Sequence, residues 1–187
     1  ALLEPLRTLL RSLNCFRREA SLVINWLDNG PDILLRADAP LTQPDRTRLI
    51  AFAKDHDAPR ISVCLLYTSG VAEPKSLPEP IIILRPPILR FAGVAVTPPP
   101  GCFLQACPEG EAAIIAAMLA GLPKLRNKSR LVELYAGCGT LSFALAPHSR
   151  VEAYEGDEPA VYAADKAARD AGLAGRVTFA KRDLHRR

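Results

Sequence analysis

The spacing of apolar positions changes several times along the first part of the chain. Leu2, Leu3, Leu6, Leu9, Leu10 and Leu13 recur at helical intervals, and Ser21 to Trp26 and Asp32 to Arg36 read as strands about the turn Asp28-Asn29-Gly30. Leu41 to His56 returns to helical spacing, and Arg60 to Tyr67 is a further apolar strand. This order of helix, strand, strand, helix, strand predicts a small α+β domain with an antiparallel sheet. Prolines then crowd the stretch from Pro74 to Pro108 and exclude a long helix there. Ile81 to Leu84 and Ile88 to Phe91 are interleaved with those prolines, so the stretch reads as an edge-strand linker between two domains.

From Pro108 onward the pattern is of another kind. Pro108, Glu109 and Glu111 form a favourable first helical turn, and the helix runs to about Leu122. Leu131 to Tyr135 is a short strand, Leu141 to Ala146 a helix, Val151 to Tyr154 a strand, Pro159 to Ala171 a helix stopped by Gly172, and Val177 to Ala180 a strand. Alternating strands and helices at this spacing predict a parallel sheet with right-handed crossovers. The expected fold class is α/β: an α+β domain with a proline-rich linker over residues 1–98, then the first half of a Rossmann-like sheet over residues 99–187. The remaining half of a doubly wound sheet is expected to lie outside this chain, and Ala1 in place of Met is expected to mark a cut from a longer protein.

Composition narrows the possibilities. With 187 residues of which 49% are apolar, the chain can bury a core and is no disordered tail. No apolar run reaches the roughly 20 residues of a membrane span, and the Ala-rich run from Ile114 to Leu122 suits a packed helix. The net charge of +4 is carried mainly by Arg, whose planar fork suits phosphate, so nucleic acid is permitted as a partner without being required. Cys15, Cys64, Cys102, Cys107 and Cys138 are odd in number and contain no C-x-x-C pair. They argue against a disulfide framework and for a reducing cytoplasm in which thiols act as small buried apolar groups. His56, His148 and His185 read as surface residues, Phe16 and Trp26 as core, and Lys124, Arg126, Lys128 and Arg130 as a solvated loop rather than a phosphate contact. No residue is assigned as a nucleophile or a metal ligand.

The chemistry concentrates in Glu133-Leu134-Tyr135-Ala136-Gly137-Cys138-Gly139-Thr140, where a strand gives way to a helix. Gly137 and Gly139 allow a tight turn and a close approach of backbone to a ligand. About twenty positions on, Glu155 ends the next strand, where a carboxylate can hold ribose hydroxyls. A dinucleotide loop would read G-x-G-x-x-G, but the sixth position is Ser142, and Glu133 would repel a diphosphate while suiting a sulfonium or ammonium. That charge logic favours S-adenosyl-L-methionine over a nicotinamide cofactor. Asp183, after the third strand, could hydrogen-bond an adenine amino group.

The segment Pro99-Pro100-Gly101-Cys102-Phe103-Leu104-Gln105, followed by the glycine loop, Tyr154-Glu155-Gly156-Asp157 and Arg182-Asp183, resembles the RNA uracil-5 methyltransferases that modify ribosomal and transfer RNA. The resemblance spans nearly the whole chain, and the F-x-Q element is its most discriminating mark. It implies an RNA-facing domain in the first hundred residues and cofactor contacts at Gln105, Tyr135, Glu155 and, by position, Asp183. Where the family carries Asn after the second glycine, this chain has Thr140, which keeps a hydrogen-bonding side chain. The family's nucleophilic Cys, its Asp-Pro-Pro segment and its Glu base match nothing before Arg187. The expected function is therefore the cofactor-binding and RNA-facing part of an enzyme that methylates C5 of uridine in rRNA or tRNA, inactive by itself and prone to self-association through an open edge at Leu131 to Leu134. The alternatives are a non-catalytic RNA-binding module on a methyltransferase scaffold and a nicotinamide-dependent oxidoreductase.

Overall fold

The computed structural model describes residues 2–18, 20–66, 77–124 and 129–184. Ala1, Tyr67, Pro74, Arg126, Lys128 and His185, all weighed in the sequence, lie outside the described residues. The chain divides into two compact units, residues 1–87 and 88–187. The division falls ahead of residues 88–98, which the proline pattern had grouped with the first domain; Phe91, Val94 and Val96 are buried in the core of the second unit, and burial rather than proline density sets the boundary.

In the first unit the order is α1 (Leu3–Ser12), β1 (Ala20–Leu27), β2 (Gly30–Ala37), α2 (Gln43–Asp55), β3 (Arg60–Leu65) and β4 (Glu79–Ile83), with the strands side by side in that order in one sheet. The hairpin β1–β2 turns through Asp28 and Asn29 onto Gly30, whose φ of +124° suits glycine and whose added Cβ would stand 2.8 Å from the Asp57 carbonyl oxygen. β2 and β3 are parallel and β3 and β4 antiparallel, so the expected antiparallel sheet is instead mixed. The reason is α2: a helical crossover brings the chain back to the end at which β2 began. The proline-rich stretch supplies β4, which among the described residues is the last strand of this sheet.

Leu6, Leu9 and Leu13 from the α1 segment meet Leu49 and Phe52 of α2 over Ile33, Leu35, Ile61 and Val63 of the sheet. Phe16 packs half-buried against this core, but Trp26 is 70% exposed, contrary to its expected core position. It stands opposite Pro31 at the hairpin end of β1, an edge strand with no neighbour on its outer side among the described residues. Asp45 joins the two helices. Its carboxylate accepts hydrogen bonds from Thr42 N and Oγ1 in a capping box and from Asn14 N and Nδ2 at the end of α1, at 2.8–3.1 Å. Burial alone would raise its pKa, but these donors hold it below the ordinary value. Arg60 meets Asp32 across the sheet through two buried hydrogen bonds of 2.8 and 2.6 Å. His56 is half-buried against the Phe52 ring rather than at the surface, while His148 is exposed as expected.

In the second unit, β5 (Leu89–Phe91) and β6 (Val94–Val96) form a hairpin over Ala92 and Gly93, both with positive φ. There follow α3 (Pro108–Gly121), β7 (Arg130–Leu134), α4 (Thr140–Leu145), β8 (Arg150–Glu155), α5 (Glu158–Asp170) and β9 (Val177–Lys181). The three later strands form a parallel sheet in the order β7-β8-β9, as their alternation with helices predicts. Ala160, Ala164, Ala167 and Ala168 line the inner stripe of α5, where small side chains permit close packing. Ala160, Ala167 and Ala168 share a core cluster with Cys138, Phe143 and Phe91. The expected packed helix α3 packs on one side only: Met118 and Leu119 touch a core cluster, but no residue of α3 is fully buried and Ile114 is 43% exposed.

Candidate functional site

The strand ends of the parallel sheet border an open pocket of about 310 Å³, lined by Tyr135, Glu155, Gly156, Lys181, Asp183 and Leu184. Tyr135 follows β7 with its backbone in the left-handed region (φ +60°), which is costly for a residue with a bulky side chain, and it is 58% exposed. Gly137 and Gly139 continue the turn at φ +55° and +92°. A Cβ on Gly137 would meet nothing within 4 Å, so this glycine leaves backbone open to a ligand. Gly139 has a different cause. A Cβ there would lie 2.7 Å from the Phe143 ring and 2.9 Å from the Phe179 ring, which already touch each other.

Glu155 ends β8 as expected, and its carboxylate is held by the chain itself. Oε1 accepts from Gly156 N at 2.7 Å and Asp157 N at 2.9 Å, and Oε2 accepts from Gly137 N at 2.9 Å. Partial burial raises its pKa, but the three amides outweigh burial and hold it below the ordinary value. A carboxylate offers about four acceptor positions, so with three occupied, roughly one remains on Oε2 for a ligand hydroxyl. The neighbouring Asp157 does other work: its side chain accepts from Ala160 N at 3.1 Å and caps α5. Arg182 N donates to Glu155 O at 2.8 Å and its guanidinium lies 5.5 Å from the Tyr154 ring centroid, which fixes the chain after β9 and brings Asp183 to the pocket. Lys181 pairs with Glu158 at 2.7 Å on the rim.

Of the expected site residues, Tyr135, Glu155 and Asp183 line the pocket, and Gly137 bonds to Glu155. Glu133, Gly139, Thr140 and Gln105 are not among the lining residues. Gln105 is exposed on the loop before α3, beside Phe103 at 82% exposure. Glu133 is turned to Ser142, whose buried hydroxyl donates to Oε2 of its carboxylate. Burial raises the Glu133 pKa, the Ser142 hydrogen bond lowers it, and burial prevails. Gly156, Lys181 and Leu184 were not singled out in the sequence; Lys181 stands beside Glu155 in the β8–β9 register, a neighbourhood that the strand pattern alone implies.

Two of the buried cysteines are held in the thiol form. The Cys138 thiol is buried and pushed far up by its hydrogen bond with Cys102 and by burial. Burial likewise raises Cys15, to about 11, with the charge of Asp45 adding to it. Among the described residues no group of His, Cys, Asp and Glu could hold a metal ion, and no helix is long and apolar enough to cross a membrane.

A parallel sheet with a glycine turn after its first strand, a carboxylate ending its second and another after its third is the Rossmann-like sheet of the methyltransferases. The architecture agrees with the crystal structure of Pyrococcus abyssi tRNA (uracil-54, C5)-methyltransferase in complex with S-adenosyl-L-homocysteine, with a TM-score of 0.56 at 12% identity over 87% of this chain and 38% of that one. In sequence, the chain is 41% identical over 128 residues to an uncharacterized RNA methyltransferase of Mesorhizobium japonicum, covering 68% of this chain and 30% of that protein. It is 31% identical over 185 residues to the 23S rRNA (uracil(1939)-C(5))-methyltransferase of Edwardsiella ictaluri, covering 98% of this chain and 39% of that protein. No family model matches the chain. It spans about a third of the length of the curated relatives it matches. Over that span the chain is similar in sequence to RNA methyltransferases, a 23S rRNA uracil-C5 enzyme among them.

Proposed function

We propose that the second unit binds S-adenosyl-L-methionine and that the whole protein methylates C5 of uridine in rRNA or tRNA, with the first unit facing the RNA. The observation that carries this reading is Glu155, fixed at the end of β8 by three backbone amides in one pocket with Tyr135 and Asp183. These residues fit an adenosyl group: Oε2 of Glu155 accepts a ribose hydroxyl, Asp183 accepts from the adenine amino group, and Tyr135 and the open backbone of Gly137 flank the ligand. Thr140 and Gln105 take the family's cofactor-side positions by resemblance. Bound there, the cofactor would supply an electrophilic methyl group on its sulfonium. A buried Ser142 bonded to a carboxylate, in place of the third glycine of a dinucleotide loop, favours this cofactor over a nicotinamide.

Calorimetry tests the reading. S-adenosyl-L-methionine and S-adenosyl-L-homocysteine should bind the chain and NAD should not; the reverse preference would overturn it. The chain by itself should transfer no methyl group to uridine-containing RNA, because addition to C6 needs a positioned thiolate and a base, and the family's nucleophile and base match no residue here. Incorporation that survives Cys138→Ser would show that the division of labour is wrong. RNA binding should weaken with salt in proportion to the phosphates neutralised. The free cysteines suit the reducing cytoplasm proposed for the protein. We also propose that the chain self-associates through β7, which pairs only with β8 among the described residues and leaves Val132 and Leu134 more than half exposed. Sedimentation that shows a monomer at all concentrations would refute this.

A further inference from the structure

The turn after β7 places three left-handed residues, Tyr135, Gly137 and Gly139, within five positions. Such backbone persists only where its surroundings over-determine it. Part of that restraint is backbone: Ala136 N donates to Tyr154 O at 3.1 Å and Gly139 N to Ala136 O at 2.9 Å. Glu155 holds Gly137 N from the side of β8. The remaining restraint joins the two ends of the turn. Glu133, the penultimate residue of β7, accepts the hydroxyl proton of Ser142 in the first turns of α4, and Ser142 is fully buried. This bond bridges the mouth of the loop, so strand and helix cannot separate while it stands. Glu133 is half-buried and is not among the residues lining the pocket.

We propose that Glu133 is a positioning residue for the cofactor site: its carboxylate acts through the Ser142 hydroxyl, clasping the two ends of the glycine loop, and does not itself face the cofactor. The inference rests on the cofactor reading given above and replaces the direct contact with a cationic group that the sequence suggested for Glu133. Charge is incidental to such a clasp. An amide oxygen accepts the same proton from Ser142, so Glu133→Gln keeps the bond, whereas Glu133→Ala and Ser142→Ala each remove it.

Two ligands that differ in charge at one atom separate the roles. S-adenosyl-L-methionine carries a sulfonium and S-adenosyl-L-homocysteine a neutral thioether. For a clasp, Glu133→Gln should keep both affinities close to those of the parent chain. Glu133→Ala and Ser142→Ala should weaken both ligands equally, by up to roughly tenfold, about the worth of one hydrogen bond. The double alanine variant should be no weaker than either single one. A carboxylate facing the sulfonium would instead make Glu133→Gln lose the methionine form and spare the homocysteine form, and that result, or additive single losses, would overturn the proposal. Amide exchange across residues 136–139 supplies a readout without ligand. It should quicken in Glu133→Ala and Ser142→Ala and stay unchanged in Glu133→Gln; unchanged exchange in the alanine variants would also overturn it. Failure of the parent chain to bind either ligand would count against the cofactor reading, while the exchange experiment would still decide the clasp.

Discussion

Strands β3 and β7 are similar in length and rich in apolar side chains, yet their surroundings differ. β3 lies between β2 and β4 and is buried at every position from Arg60 to Cys64. β7 has β8 on one side, and its residues alternate between exposed and half-buried, with Val132 61% and Leu134 53% exposed. The first unit pairs its buried charges inward, as Asp45 and the Arg60–Asp32 pair show. The second leaves its strand ends open, and there the carboxylates, the strained Tyr135 and the pocket are found. A region that must admit a ligand keeps its restraints in a few bonds around the opening instead of in a closed core. The two units should therefore respond differently to damage.

The largest contrast should come from Gly139→Ala. It places a Cβ among the Phe143 and Phe179 rings at a φ of +92°, and strain with overpacking should cost about 4 kcal/mol. Amide protection should fall across β7, β8 and β9 and hold in β2 and β3; equal loss in both units would break the comparison. Asp45→Ala should do the converse. Stranding the donors of Asn14 and Thr42 should cost about 3 kcal/mol by denaturant titration, with protection lost around α1 and α2. Cofactor affinity should be unchanged.

Next in size is Glu155→Ala, which should weaken S-adenosyl-L-methionine about tenfold by calorimetry through the lost charged acceptor. Asp157→Ala removes only the cap of α5 and should cost about 1 kcal/mol of stability with little change in affinity. Equal effects on affinity would remove the ribose role from Glu155. The smallest effect is that of pH. Asp45 and Glu155 lie below the ordinary carboxylate pKa of about 4, so their contributions are complete above that value and fade as pH falls through their own lower ones. Glu133 is raised, so its contribution is complete below the ordinary value and is lost as pH rises through its own. Above the ordinary carboxylate range, exchange in the second unit should quicken slightly as pH rises through the raised pKa of Glu133, measured after correction for the intrinsic rate. Glu133→Gln should abolish that slope while the first unit stays level.

Much of this was legible in the chain because period and position carry it. The helices and strands follow from apolar spacing, and Tyr135, Glu155 and Asp183 could be brought to one opening because all three follow or end strands of a parallel sheet. Pairing was less legible. Apolar spacing does not tell whether β2 and β3 run parallel, although the unbroken burial of Pro31 to Leu35 is the mark of an interior strand. Trp26 misled because hydrophobicity reports what a side chain can bury, not whether an edge strand offers it a neighbour. The reason for Gly139 was hidden too: the Phe143 ring comes from four residues on, but Phe179 arrives from another strand. For Glu133, charge was visible in the sequence and its partner Ser142 was not, since a bond between a strand and the helix after it depends on how the loop between them closes.

Asp45 also bears on the order in which the chain acquires its structure. The turn formed by Thr42 and Asp45 is local and can close within the time of a single helical turn, but the same carboxylate is completed only when Asn14 arrives across thirty-one positions of chain. A fast local event and a slower long-range one thus share an acceptor, so the start of α2 is a natural nucleus on which α1 condenses. Both partners are synthesised before β3, and the junction can form while the residues of the glycine loop are still being added.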